Sequence, residues 1–249
     1  MTGRTTLVTG GAGGIGAALC SAVAAQGSAV AVADLDGDRA GAVAARVAAE
    51  HGTAALGVRT DVADDDSVRE AVARVERELG PVTGLVSGAG IDVVGRFVDS
   101  APADWDRLIA VNLRGTIAVV RAVLDGMIER GHGRIVLIAS DAGRVGSSGE
   151  VVYSATKGGV IAFGKGLARE VARHGITVNS VCPGPTDTPL LDQVRDASPK
   201  LYEGLARAVP MRRIGRPDDL GPAVAFLLSD GAGYITGQTL SVSGGLTMA

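Results

Sequence analysis

The sequence predicts an α/β fold, a doubly wound parallel sheet of seven strands with helices on both faces. Three observations carry this expectation. Short β-branched or apolar runs alternate with longer segments of helical period, the βαβα order of a parallel sheet. The short runs are apolar almost throughout instead of alternating, as in strands covered on both faces. A glycine-rich turn, Thr9-Gly10-Gly11-Ala12-Gly13-Gly14-Ile15-Gly16, joins the first strand run to the first helical pattern. Right-handed crossovers between parallel strands then put helices on both sides of the sheet. A closed barrel of eight such units is the rival; seven strand runs and the early glycine turn count against it.

In chain order, strands are predicted at 5–9, 29–33, 54–58, 84–87, 134–139, 177–181 and 239–242. Each is a short run rich in Val, Ile, Leu, Ala or Thr. Helices are predicted at 15–26, 39–51, 64–79, 112–130, 151–173 and 218–229. In the fourth of these, Leu113, Ile117, Val120, Leu124 and Ile128 recur at helical spacing and mark a buried stripe. No repeat, low-complexity tract or linker divides the chain, so residues 1–249 read as one domain. The stretch 183–208 carries mixed signals and reads as a loop with one or two helices. Insertions of that kind often act as lids, here over about 184–208.

Composition narrows the function classes. A hydrophobic fraction of 46% points to a packed globule rather than a disordered chain. Net charge is −3 and aromatics are only 3%, without a basic stripe, which argues against nucleic-acid binding. Cys20 and Cys182 belong to no CxxC pair or Cys/His cluster, so neither a disulfide framework nor a metal site is expected. His51, His132 and His174 each sit beside a glycine and read as loop or cap residues. No apolar run approaches a membrane span. The first strand starts by Thr5, leaving no room for a leader, and a reducing cytoplasm is the expected location.

The chemistry-bearing residues cluster in two places. Glycines at the first turn let the backbone bend sharply and approach a pyrophosphate, with the helix N-terminus facing the phosphate charge. Gly10, Gly13, Gly14, Ile15 and Gly16 are the candidate binders. Asp34, followed by Leu35, ends the second strand, where a carboxylate accepts hydrogen bonds from a ribose diol and repels a 2′-phosphate. The expected cofactor is therefore NAD rather than NADP, although Arg39 lies within reach of a 2′-phosphate. The second cluster is Ser140 with Tyr153 and Lys157. Tyr153 and Lys157 are four residues apart, hence one helical turn apart on one face. An ammonium near the phenol favours phenolate; a shift of about three units corresponds to roughly 4 kcal/mol. Ser140 directly follows the strand ending at Ala139, at the carboxyl edge of the sheet, where open α/β folds bind ligands.

Taken together, the Gly10, Gly14 and Gly16 spacing with Ser140, Tyr153 and Lys157 resembles the short-chain dehydrogenase/reductase family over essentially the full length. The resemblance implies a Rossmann-type fold and a nicotinamide-dependent alcohol–ketone interconversion. Tyr153 is then the acid or base, Ser140 the donor to the substrate oxygen, and Lys157 the ligand of the nicotinamide ribose. Asn112 is implied as positioning a water that relays protons. Asp61 and Val62 match the family's adenine-binding pair. Ser87, Gly88, Ala89 and Gly90 stand where the family usually has Asn-Asn-Ala-Gly, which leaves out two asparagine side chains and the sheet bond they make. Pro183 and Gly184, then Thr186 and Thr188, match positions near the carboxamide and diphosphate. Ser243-Gly244-Gly245 matches the last strand and turn. A homotetramer is implied as the assembly. The substrate wall is assigned to Asp92, Val94, Asp141, Arg144, Val145, Gly184, Leu190 and Leu191. Segments 142–150, 182–188 and 235–248 are similar to 2-hydroxycyclohexanecarboxyl-CoA dehydrogenases, implying a CoA thioester substrate. A 3-oxoacyl-thioester reductase, a broad carbonyl reductase acting on free ketones, and a non-catalytic NAD-binding regulator are the alternatives.

Overall fold

The structure, a computed structural model, describes residues 1–188, 191 and 199–248. Seven strands form one parallel sheet: β1 (Thr5–Thr9), β2 (Ala29–Asp34), β3 (Ala55–Arg59), β4 (Val82–Ser87), β5 (Gly133–Ile138), β6 (Ile176–Pro183) and β7 (Thr239–Val242). Their order is β3-β2-β1-β4-β5-β6-β7. The chain leaves β1 in one direction and later returns to pair β4 on its other side, so the order reverses between β1 and β4. Ligands of doubly wound sheets bind at the carboxyl ends of the strands at that reversal.

Helices α1 (Gly14–Ala24), α2 (Gly37–His51) and α3 (Asp65–Leu79) link the first four strands. The Asp36 side chain caps α2 by accepting the Arg39 N–H at 3.0 Å, and Gly52 ends the helix at φ +64°. Asp64 caps α3 by accepting the Asp66 N–H at 2.9 Å. Successive strand residues face opposite layers. Leu7, Leu85, Ile135 and Val178 pack with Val119, Met127, Val160 and Val171 of the helices on one face. Val8, Val32, Val86 and Val136 pack with Leu19, Val23, Leu220 and Leu228 on the other. Fully burying each large aliphatic side chain stabilises the fold by about 1.5–3 kcal/mol.

All seven strands occur at the predicted places, with β4 opening at Val82 and β6 extending to Pro183. The predicted helix at 112–130 is more complex. It begins within a π-helical segment (Ile109–Arg114), which follows α4 (Pro102–Leu108), and continues as α5 (Gly115–Arg130). A pattern reading tuned to 3.6 residues per turn does not register the wider π turn. A short α6 (Ala142–Val145) precedes α7 (Val151–Val171), and α8 (Pro199–Ala208) and α9 (Pro217–Leu228) lie between β6 and β7. Among the described residues, no helix is long and apolar enough to cross a membrane.

Two close approaches fix the helical layers. Gly221 of α9 faces Ala22 of α1, where a Cβ would lie 2.7 Å from the alanine methyl. Gly57 of β3 lies under α2, and a Cβ there would collide with the Gly41 backbone nitrogen and lie 2.5 Å from the Gly41 Cα. Gly41 itself faces open space. Gly57→Ala is therefore expected to lower unfolding free energy by about 2 kcal/mol through overpacking. Gly41→Ala is expected to raise it by about 1 kcal/mol, since alanine is the better helix former. Urea denaturation of both variants checks the contrast.

Candidate active site

At the end of β1 the chain turns at Gly10, whose φ is +68°. A Cβ on Gly10 would lie 2.8 Å from Ala89 Cα, and one on Gly16 would collide with the Gly10 carbonyl oxygen. Only glycine permits both approaches. α1 begins at Gly14 with Gly13 at its N-cap and no side chain satisfying the first-turn N–H groups. Such an exposed, positively polarised end fits a phosphate, and the cradle fits a dinucleotide. Ile15 is half-buried in the first turn of α1.

Asp34 closes β2, and its carboxylate accepts the Ala12 N–H at 2.9 Å and the Asp36 N–H at 3.2 Å. These bonds hold the acid against the glycine turn, with Leu35 exposed beside it. Arg39 donates to the Ala12 carbonyl at 3.1 Å. A carboxylate and a guanidinium thus face the same end of the cradle. Beyond β3, the Asp61 carboxylate accepts the Ala63 N–H at 2.9 Å and shapes the next turn, while Val62 is buried against Gly115 of α5.

The β4 end is held without the two family asparagines. The Thr9 hydroxyl accepts N–H bonds from Gly88 at 3.1 Å and Ala89 at 3.3 Å, and Ser87 reaches the Thr116 hydroxyl at 3.4 Å. Sequence reasoning missed Thr9 because its side-chain role depends on a contact eighty residues away. Asn112 lies on the π-helical segment and is fully buried. Its amide accepts the Ile91 N–H at 2.8 Å and donates to the Ile91 carbonyl at 2.9 Å and the Thr156 hydroxyl at 3.2 Å. Both amide hydrogens are thereby committed to protein, which makes the Asn112 side chain a fastener of the loop after β4. A Cβ on Gly90 would lie 3.3 Å from both Asn112 Oδ1 and Lys157 Nζ.

Ser140, Tyr153 and Lys157 come together at the carboxyl ends of β5 and β6. The Ser140 hydroxyl accepts the Ala142 N–H at 3.1 Å and hydrogen-bonds the Tyr153 phenol. Lys157 is buried; its ammonium donates to the Ile138 carbonyl at 2.9 Å and lies 5.7 Å from the Tyr153 ring centroid. Burial pushes Lys157 down to about 8. Burial likewise pushes Tyr153 up to about 12, against the Ser140 hydrogen bond and with help from the charges of Asp92 and Glu150. Among the chain's own groups, then, the lysine alone does not move the phenol towards phenolate. Desolvation disfavours both charged forms and is the largest influence on each. Asp92, in the loop after β4, is half-buried against Glu150 and held up to about 7, first by burial and then by that second carboxyl.

The remaining wall residues divide. Val94 and Val145 are exposed on the rim, and Gly184 follows β6 where a Cβ would lie 2.6 Å from Ser243 Cβ. Asp141 and Arg144, predicted as substrate contacts, instead share Ser241 of β7: Arg144 donates to its hydroxyl at 2.8 Å, and that hydroxyl donates to Asp141. The pair ties the loop after β5 to the edge strand, a partner that strand spacing along the sequence does not reveal. Pro183 precedes Gly184, Thr186 donates to the Gly184 carbonyl at 2.9 Å, and Thr188 is half-buried. Leu191 is half-buried, and Leu190 lies outside the described residues. Cys182 is buried with its thiol pushed up to about 11, consistent with packing rather than reactivity. Among the described residues, no group of His, Cys, Asp and Glu is arranged to hold a metal.

The chain matches, over residues 10–247, the family model described as Enoyl-(Acyl carrier protein) reductase. Nodulation protein G of Azospirillum brasilense is 41% identical, with 99% of both chains covered. An acetoacetyl-CoA reductase of Synechocystis sp. is 41% identical over 97% of this chain and 95% of that protein. A solved gluconate 5-dehydrogenase from Burkholderia cenocepacia, in complex with NADP and tartrate, superposes with a TM-score of 0.94 at 36% identity, covering 100% of this chain and 97% of that one. With a glycine cradle that fits a dinucleotide beside the Ser140, Tyr153 and Lys157 cluster, and matches spanning nearly its whole length, the chain belongs to the short-chain dehydrogenase/reductase family of oxidoreductases.

Proposed function

We propose that the chain is an NAD-dependent oxidoreductase that interconverts a β-hydroxyacyl thioester and its 3-oxo counterpart. The meeting of Ser140, Tyr153 and Lys157 beside the glycine cradle carries the reaction type. Relatives named acetoacetyl-CoA reductase support the thioester. A 2-hydroxycyclohexanecarboxyl-CoA substrate fits the same reading, because its ring hydroxyl also stands β to a thioester carbonyl.

A nicotinamide dinucleotide, when bound in the cradle of Gly10 to Gly16, supplies or takes up the hydride. In reduction Tyr153 donates its phenolic proton to the carbonyl oxygen; in oxidation the same oxygen takes the hydroxyl proton. The Ser140 hydroxyl donates to the substrate oxygen as charge develops there. Burial keeps Tyr153 in its proton-donating form across the ordinary pH range. The Lys157 ammonium then stabilises the phenolate left behind. Asn112 acts as a positioning residue through Ile91 and Thr156.

A panel of acetoacetyl-CoA, 2-hydroxycyclohexanecarboxyl-CoA and simple free ketones, assayed with both cofactors, tests the reading. Turnover of free ketones alone would sink the thioester assignment. Tyr153→Phe is expected to lower kcat about 1,000-fold while leaving cofactor affinity nearly unchanged.

For the cofactor, Asp34 favours a free ribose diol, whereas Arg39 on the same turn offers a counter-charge for a 2′-phosphate. We expect NADH to bind more tightly than NADPH by fluorescence titration. Arg39→Ala is expected to weaken NADPH about tenfold while sparing NADH, the loss of one charge-assisted hydrogen bond.

Lys157 is shifted down from 10.5 in the unfolded chain to about 8 in the fold. Between those values the unfolded chain binds more protons, so stability rises with pH; the burial cost is present in full below about 8 and gone above 10.5. Urea unfolding should therefore show the wild type gaining about 3 kcal/mol relative to Lys157→Met between neutral pH and the upper end of that window.

A further inference from the structure

Ser241 stands on β7, the strand at one edge of the sheet, in register with Cys182 of β6. Its hydroxyl oxygen accepts a hydrogen bond from Arg144 at 2.8 Å, and Arg144 also donates to the Thr239 carbonyl at 3.5 Å. A hydroxyl has one hydrogen, and here it goes to Asp141 Oδ1. Asp141 is 5% exposed, and its other carboxyl oxygen is buried with no hydrogen-bond partner among the described residues. A carboxylate buried on so few bonds costs stability. Replacing such a polar pair by apolar groups of the same shape is often neutral or stabilising, so packing alone does not account for it.

The anchored residue is the neighbour of Ser140. The Asp141 N–H donates to the Pro183 carbonyl at 3.3 Å, and the Asp141 carbonyl accepts the Arg144 N–H at 2.9 Å. The Ser140 carbonyl accepts the Gly143 N–H at 3.0 Å, and the Ser140 hydroxyl oxygen accepts the Ala142 N–H at 3.1 Å. That last bond uses a lone pair of the oxygen and leaves the hydroxyl hydrogen for an acceptor in the crevice. On its far side the turn rests on α7: a Cβ on Gly143 would lie 2.6 Å from the Lys157 carbonyl carbon. The turn is gripped between the edge strand and α7, with Ser140 at its start.

We propose that Ser241 is a positioning residue for the reaction: through Asp141 it fixes the turn that aims the Ser140 hydroxyl, and Arg144 directs the Ser241 hydrogen. The inference rests on the reaction proposed above, in which Ser140 donates to the substrate oxygen. Ser241 acts from the edge strand and touches neither substrate nor cofactor in this role. A donor displaced by about 1 Å loses much of its effect on a developing charge, so a loosened turn lowers kcat. Binding of substrate and cofactor draws on other walls of the crevice and changes little.

The test is a double-mutant cycle between Ser241→Ala and Ser140→Ala, assayed on whichever ketone or thioester of the panel above turns over fastest, with its preferred cofactor. Ser241→Ala alone is expected to lower kcat about tenfold, with KM and cofactor affinity within about twofold of the wild type. Ser140→Ala is expected to lower kcat about 100-fold, and adding Ser241→Ala to it is expected to cost nothing further, because the group being aimed is gone. Equal proportional losses in the two backgrounds mark a merely structural residue and overturn the inference. An unchanged kcat in folded Ser241→Ala overturns it too. Where Ser241→Ala fails to fold, Arg144→Met enters the same cycle: about threefold loss in the wild-type background and none with Ser140→Ala supports the inference, and equal losses or no loss in both backgrounds overturn it. Turnover with additive losses leaves the proposed reaction standing and removes only this inference. Absence of turnover for every ketone and thioester removes both.

Discussion

The close approach of β1 to the loop after β4 is the constraint on which the rest of the site depends. Gly10 and the Gly88–Ala89 backbone lie nearer than any side chain would allow, and the Thr9 hydroxyl ties the two strand ends together. This contact sits where the strand order reverses, so it opens the crevice in which α1 presents its uncapped end. A side chain at Gly10 would push the β4 loop away, and with it Gly90, the Asn112 fastening and the Asp92 carboxyl. The cradle and the reacting centre are two consequences of one backbone contact.

Inside the site, desolvation sets the balance of charge. Lys157 and Tyr153 are pushed in opposite directions by the same burial, and both shifts favour the neutral form. The carboxyls of Asp92 and Glu150 raise the phenol further. The chain by itself therefore builds a centre that disfavours charge on both groups. Its polar groups are fixed by bonds to backbone, Ile138 for the lysine and Ile91 for the asparagine, and each stays in place without a bound molecule to hold it.

Much of this architecture was legible in the sequence because it is local. Strand runs, the glycine turn, the acid ending β2 and the Tyr153–Lys157 spacing are short-range patterns, and the family resemblance tied them together. What was not legible depends on distant partners. Thr9 gains its role from β4, and Asp141 and Arg144 lose their expected place to Ser241 of β7. The π-helical segment around Asn112 differs from an α-helix by hydrogen-bond span, which apolar periodicity does not encode. The burial around Tyr153 is not legible for a related reason: spacing places a lysine near a phenol but says nothing about how much water each loses.

The strand order also bears on how the chain reaches its native state. Parallel pairing of β1 with β4 joins segments separated by more than seventy residues, and β5, β6 and β7 add to that edge afterwards. Such non-local pairing carries the loop-closure entropy that slows folding. The crevice needs β1, β4, β5 and β6 together, so no nascent fragment that stops short of β6 holds a complete site. A molecule that binds the crevice recognises only the finished sheet, and by mass action it stabilises the whole fold rather than one loop.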